Sequence, residues 1–353
     1  MERRTFLRVM GGGVVLAAVP AVTGCSSSLP DAAIAAWQPQ PPPPVGADPR
    51  RWLLAHAILA PHSHNLQSWR VDLRQPGQID LYCDRTRLLP ETDPFSRQIM
   101  MSQGTFIELL DMAARQAGLR ADIGLFPAGE FDPGQRADNG LTARIRLTPD
   151  ATVRPDPLFA QVFRRHTHRG AYESQAPSAA ATQAIGEAAL GTIAGLPLRV
   201  GFVGPQDANI DQHRAIASEA WRIELITPAA MLESLKVMRI GPDEIARHRD
   251  GISLNQPLPR LLAAVGLFDR SAAPAPDSLT VTSQVKDFNE KIASTPAFFW
   301  MVTDGNERPT QVNAGRAWVR AQLAATAQGL VMQPLQQALQ EYPQQAGPYA
   351  AIH

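Results

Sequence analysis

Two stretches of this chain spell nearly the same helix. Gly104 to Leu119 reads GTFIELLDMAARQAGL, and Gly315 to Leu330 reads GRAWVRAQLAATAQGL. Gly104/Gly315, Ala113/Ala324, Ala114/Ala325, Gly118/Gly329 and Leu119/Leu330 coincide without a gap, and Met112/Leu323 is a near match. Phe106, Leu109, Leu110, Ala113 and Ala117 recur at helical spacing, and the late glycine suits a helix C-cap. The alanines point to close helix packing. A strand-like run precedes each helix: residues 79–83 before the first, 297–302 before the second. Strand, loop and helix at two places predict an internal duplication; the alternative is two independent alanine-rich helices that end in glycine. Two similar halves in one chain imitate a homodimer and can build one site between them.

Size agrees with two halves. The 353 residues suit two core-forming units, and 44% hydrophobic against 19% charged residues excludes global disorder. Lys+Arg and Asp+Glu are 33 each, so no polyanion-binding character arises and nucleic acid is not an expected partner. Two cysteines exclude a disulfide scaffold or a Cys-rich metal site. Residues 143–147 and 198–203 alternate like strands. Residues 211–226 read as a helix stopped near Pro228. The stretch 231–278 has weak periodicity, as a lid insertion does.

The amino-terminal 25 residues read as an address. Arg3-Arg4-Thr5-Phe6-Leu7-Arg8 precedes an apolar run from Val9 to Val22, too short to span a bilayer. The arginine pair resembles the twin-arginine export signal, with Glu2 where Ser or Thr is commoner. Val22-Thr23-Gly24-Cys25 resembles a bacterial lipobox, which makes Cys25 the lipidated first residue of a mature chain; an ordinary cleavage site with an incidental cysteine is the alternative. Residues 26–48, with Pro39 and Pro41 to Pro44, read as an extended tether without packed structure. The expected divisions are therefore 1–25, 26–48, a first half at 49–150 and a second at 151–353.

Two segments carry chemistry. In Pro61-His62-Ser63-His64-Asn65-Leu66-Gln67-Ser68-Trp69, hydroxyl, amide and imidazole groups can converge on one ligand, as a heteroaromatic ring edge or a ribityl chain requires. The plainer reading is a capped helix end before a strand. In Arg165-His166-Thr167-His168-Arg169, two guanidinium forks flank a hydroxyl and could cage a phosphate; the plainer reading is a solvated basic patch. The pairs His62/His64 and His166/His168 could chelate zinc or copper, but a metal is not the expected ligand. No Walker A loop, GxSxG, HExxH or Rossmann glycine pattern outside the leader occurs.

Together these segments resemble the nitroreductase superfamily of flavin oxidoreductases. There, an Arg-Arg-Ser-x-Arg-like motif holds FMN, and a Pro-Ser-x-x-Asn-x-Gln-Pro-Trp-like motif reaches the flavin of the partner subunit. Here the second motif stands first, at Pro61 to Trp69, with Ser68 in place of proline; the first follows about a hundred residues later, at Arg165 to Arg169. That order is similar to the fused, Acg-like branch of the superfamily. The resemblance implies an α+β fold, a nitroreductase-like three-layer sandwich with the two halves forming a pseudodimer. It implies that Arg165, Thr167 and Arg169 hold the phosphate and ribityl end, with His166 near the pyrimidine side. Ser63 and Asn65 reach in from the other half, with Gln67 supporting them. Gln333, Pro334 and Leu335 lie by the reactive edge of the ring. The chain ends at His353, where family members usually add basic residues near the phosphate.

The expected function is that of an exported, periplasmic or cell-envelope oxidoreductase using FMN. It would pass two electrons through flavin N5 to a nitroaromatic or quinone-type acceptor. The reductant, NAD(P)H or another, is left open, and so is the choice of monomer or homodimer. No side chain is expected to act as nucleophile or general base. Two other readings stand beside it: a flavin-holding or flavin-sequestering lipoprotein with little turnover, and a cofactor-free structural lipoprotein.

Overall fold

The computed structural model describes residues 28–44 and 46–353. The arginine pair, the apolar run and Cys25 lie outside these residues. Among the described residues, no helix is long and apolar enough to cross a membrane.

The chain opens with a short helix, α1 (Asp31–Ile34), continued by a 3-10 turn at Ala35–Trp37. This corrects the expectation of an unpacked tether. The Trp37 side chain packs on the first hydrophobic core, and Trp52 donates its indole N–H to the Gln40 carbonyl. The proline run does lack helix and strand. Proline content predicted the extended part, whereas Trp37 ahead of it gains burial that composition alone does not register.

The first half contains α2 (Arg50–Ala57), β1 (Trp69–Asp72), β2 (Gln78–Cys83), α3 (Arg97–Gln116), β3 (Leu119–Leu125) and β4 (Leu141–Pro149). Its sheet is antiparallel, in the order β1-β2-β4-β3. Ile79 and Leu81 of β2 and Ala143 and Ile145 of β4 alternate onto one buried face, against which α3 lies.

The second half contains α4 (Ala179–Leu190), β5 (Leu198–Val203), α5 (Ile210–Ile226), α6 (Pro228–Lys236), β6 (Met238–Ile240), α7 (Gly241–His248), β7 (Ile252–Leu254), α8 (Pro257–Ala264), α9 (Leu279–Ala293), β8 (Phe298–Thr303), α10 (Arg308–Ala327) and α11 (Ala346–Ile352). β5 and β8 pair antiparallel, and β6 and β7 parallel. The stretch 231–278 thus holds short elements of its own, too brief to show a period in the sequence.

The repeated helices α3 and α10 are each 20 residues long and each start seven residues before the repeat, at Arg97 and Arg308. Both stop where Gly118 and Gly329 take positive φ, at 69° and 72°. They cross at the glycines that open the repeat. A Cβ on Gly104 would sit 1.8 Å from the Val312 carbonyl oxygen, and one on Gly315 would sit 1.9 Å from that of Met101. The contact is reciprocal, since each glycine meets the carbonyl three residues before its counterpart. The first arginine of each helix reaches the other half: Arg97 donates to the Leu339 carbonyl, and Arg308 to those of Asp132, Pro133 and Gln135. α10 serves two cores. Val312, Val319 and Leu323 join the first, while Ala317, Ala321, Ala324 and Ala325 pack beneath β5 and β8. The helix pair therefore lies between the two sheets, a mixed α/β arrangement compatible with a nitroreductase-like fold. Beside the crossing, Glu108 of α3 binds Arg316 at 2.8 Å and Arg320 at 3.0 Å from α10. Arg320 also binds Asp156 at 2.6 Å.

Candidate functional site

The turn between α2 and β1 is held by a polar stripe on the otherwise apolar α3. Ser102 accepts from the Ser63 N–H at 3.1 Å, Gln98 accepts from the Ser63 hydroxyl at 3.1 Å, and the Thr105 hydroxyl donates to the Pro61 carbonyl. Gln103 donates to the Ser68 carbonyl. These residues at spacings of three and four were a legible signal that the sequence reading missed; they also hid the first turns of the helix, because buried polar groups interrupt the apolar pattern. Three non-glycine residues of the turn, His64, Asn65 and Gln67, have φ of 49°, 53° and 53°. Each such conformation costs about 1 kcal/mol or more, so the surroundings must enforce it.

His62 is one enforcer. With Nδ1–H donating to the Ser63 carbonyl, its Nε2 accepts the Ser68 N–H at 3.1 Å and faces the Ser68 hydroxyl at 2.7 Å. Burial pushes its pKa down to about 4, so it is neutral near pH 7 and suited to accepting. His64 is also pushed to about 4, by burial first and by the charge of Arg169 second. That influence marks how near the arginine segment lies.

The expected lid segment grips the same turn. His64 Nε2 meets the Ser234 hydroxyl at 3.0 Å, Asn65 donates its amide to the Gly251 carbonyl at 3.1 Å, and Gln67 donates to that of Arg249 at 2.8 Å. Gly251 returns its N–H to the Asn65 carbonyl. A side chain is barred at Gly251, since a Cβ would come within 2.1 Å of the Val237 carbonyl oxygen. Arg87 ties the Leu66 carbonyl to Asp250.

Arg165 is buried. It donates to the Leu59 carbonyl at 2.9 Å and to Gln322 of α10 at 3.2 Å, and the Trp37 ring lies 5.5 Å from its guanidinium carbon. Its Nε–H has no partner among the described residues. Neither Arg165 nor Arg169 has a carboxylate partner there. Desolvation pulls Arg165 down to about 10 and lowers Arg169 as well. Arg169 is open to water yet crowded by protein, as befits a side chain on a cavity wall. Thr167 bridges to Met332, and the His168 N–H donates to the Met332 carbonyl at 3.2 Å, which sets the arginine segment beside residues 333–335. His166 is exposed, with Nδ1 3.3 Å from the Arg164 carbonyl.

Ser63, Asn65 and Gln67, the segment Arg165–Arg169, and Gln333, Pro334 and Leu335 all line one cavity of about 2550 Å³. Cavities that take a cofactor are usually about 300–1,000 Å³, so there is room for one and for a second molecule beside it. Two unneutralised guanidiniums, one with an orphaned donor, are chemistry that suits a phosphate. Glu224 lines the same cavity and was not foreseen. It is buried, accepts from Gln340 at 2.9 Å, and is pushed up to about 7, chiefly by burial, with nearby Glu233 adding to the rise. Among the described residues, no three His, Cys, Asp or Glu side chains gather as a metal-ligand set.

No family model matches the chain. It is 27% identical over 301 residues to two proteins of Mycobacterium tuberculosis, from strains CDC 1551 / Oshkosh and H37Rv; the match covers 83% of this chain and 78% of each relative. Both relatives bear the name "Putative NAD(P)H nitroreductase", and it is to proteins so named that this chain is similar over most of its length.

Proposed function

We propose that the protein is an FMN-dependent oxidoreductase of nitroreductase type, in the fused arrangement of the Acg-like branch. One observation carries the reading: two segments a hundred residues apart in sequence line a single cavity with unneutralised guanidiniums. The names of the relatives support the reaction class and suggest NAD(P)H as reductant. The reciprocal glycine crossing and the exchange of Arg97 and Arg308 between halves support the pseudodimer. The leader and Cys25 support export and acylation.

In this reading Arg165, Thr167 and Arg169 hold the phosphate and ribityl end. His166 stands near the pyrimidine side, and residues 333–335 stand by the reactive edge. Ser63 and Asn65 approach from the first half, with Gln67 supporting Asn65, whose Oδ1 lies 3.5 Å from the Gln67 amide nitrogen. FMN, when bound, supplies hydride chemistry at N5 for two-electron reduction of a nitroaromatic or quinone. The chain's own part is to bind, orient and exclude water, and neutral His62 keeps the turn in its strained shape. A second reading, a flavin-holding protein with little turnover, is favoured by the contacts of Ser234, Arg249 and Gly251 that fasten residues 231–278 over the turn.

The visible spectrum of the purified chain, before and after added FMN, tests the cofactor. Flavin absorption that survives gel filtration supports both readings, and a colourless protein that does not retain FMN overturns both. Bleaching by NADPH, with colour returned by a quinone or nitroaromatic, selects the enzyme; a bound flavin inert to both selects the holding protein.

A further inference from the structure

Helix α8 is amphipathic the wrong way round for a helix packed on a core. Leu258, Leu261 and Val265 follow one another at three and four residues, on one helical face. They are 56%, 46% and 54% exposed, and Leu267 just beyond is 47% exposed. No residue of α8 is fully buried. None of these four side chains lines the cavity, so the patch is separate from the proposed flavin site. Isolated exposed leucines are ordinary, but a run aligned on one helix face marks a contact surface.

The chain also says what approaches that surface. Asn255, two residues before α8, donates its amide to the Ser28 carbonyl at 2.6 Å. Cys25 stands three residues before Ser28, so it can lie no more than roughly 11 Å along the chain from this point. A lipid on Cys25 would enter its bilayer beside α8. Between Asp250, which is paired with Arg87 and Arg239, and the exposed Asp269, residues 251–268 contain no Asp or Glu. The largely apolar composition of that stretch fits the acyl–headgroup boundary better than a charged protein partner.

We propose that the face formed by Leu258, Leu261, Val265 and Leu267 docks on a phospholipid bilayer and orients the folded body against the membrane. The direction of approach rests on the reading of Cys25 as an acylated anchor; the surface itself is testable without it. The chain beginning at Ser26 keeps every described residue and lacks both the leader and Cys25. Incubated with phosphatidylcholine–phosphatidylglycerol vesicles, it is expected to cosediment weakly, and Leu258→Ser/Leu261→Ser/Val265→Ser should cut the bound fraction at least about fivefold. Leu190→Ser, at an exposed leucine elsewhere, should change nothing. Leu261→Trp gives a readout that survives any folding defect of the triple variant: its emission should shift to the blue on adding vesicles. Absence of cosedimentation, an unchanged triple variant or an unshifted tryptophan would overturn the proposal. So would a concentration-dependent dimer that the triple change abolishes, because the face would then belong to a second copy. Mass spectrometry of the full chain expressed with its leader tests acylation separately: an unmodified Cys25 beside vesicle binding by the Ser26 chain leaves the docking surface standing and removes the anchor.

Discussion

Arg165 and Arg169 share a five-residue segment but meet different surroundings, and their variants should differ accordingly. Arg169 is open to the cavity and binds no other described side chain, so Arg169→Ala should leave the melting temperature unchanged. FMN retention, followed by flavin fluorescence, should fall roughly ten- to a hundredfold, the worth of a hydrogen bond to a charged group. Arg165→Ala removes links to Leu59 and Gln322 and should lower stability by about 1–3 kcal/mol as well. Glu224 gives a pH test. Its pKa rises from 4.5 to about 7, so the folded state holds the proton more tightly than the unfolded chain does. The stability this contributes is full below about pH 4.5 and is lost as pH rises through about 7. Glu224→Gln stays neutral, and urea unfolding should find it about 1–3 kcal/mol more stable than the parent near pH 8 and nearly equal near pH 5. His62 and His64, pushed down to about 4, act in the opposite sense: their contribution is present above about 6.5 and lost as pH falls through about 4. The arginines and the histidine turn were legible because each is a dense local run. Glu224, inside the apolar run of α5, could not be read, since its role depends on Gln340 more than a hundred residues away.

Between α3 and α10, contact is backbone to backbone at the paired glycines, and no side chain can yield to make room. Gly104→Ala or Gly315→Ala should therefore cost upwards of about 3 kcal/mol in denaturant unfolding. Gly118→Ala, which has positive φ but open space around it, should cost only about 1 kcal/mol. The double change Gly104→Ala/Gly315→Ala should cost less than the sum, because helices already forced apart by one methyl leave room for the other. The sequence revealed these helices through glycine and alanine, residues whose smallness is itself the packing instruction. It did not reveal their first turns, where Gln98, Ser102 and Gln103 face a polar site, nor the turn at Ala35–Trp37, whose Trp37 packs on the first core.

The molecule as a whole should unfold as one unit despite its two cores. α10 contributes Val312, Val319 and Leu323 to one core and Ala317 and Ala321 to the other, so neither core survives without it. Calorimetry should show a single transition, and a fragment of residues 28–150 should not fold alone; two resolved transitions would contradict this. The register of the two similar helices also shows where they differ. Glu108 aligns with Val319, and Arg316 with Thr105. The acids therefore sit on one helix of the crossing and their arginine partners on the other. Two identical subunits could never segregate charge in this way. If the first half of one molecule mated with the first half of another in the same register, Glu108 would face Thr105 and Leu109 in place of Arg316 and Arg320, a buried carboxylate without its cations. A seam keyed in this way accepts one orientation of its two helices and discourages swapped assemblies.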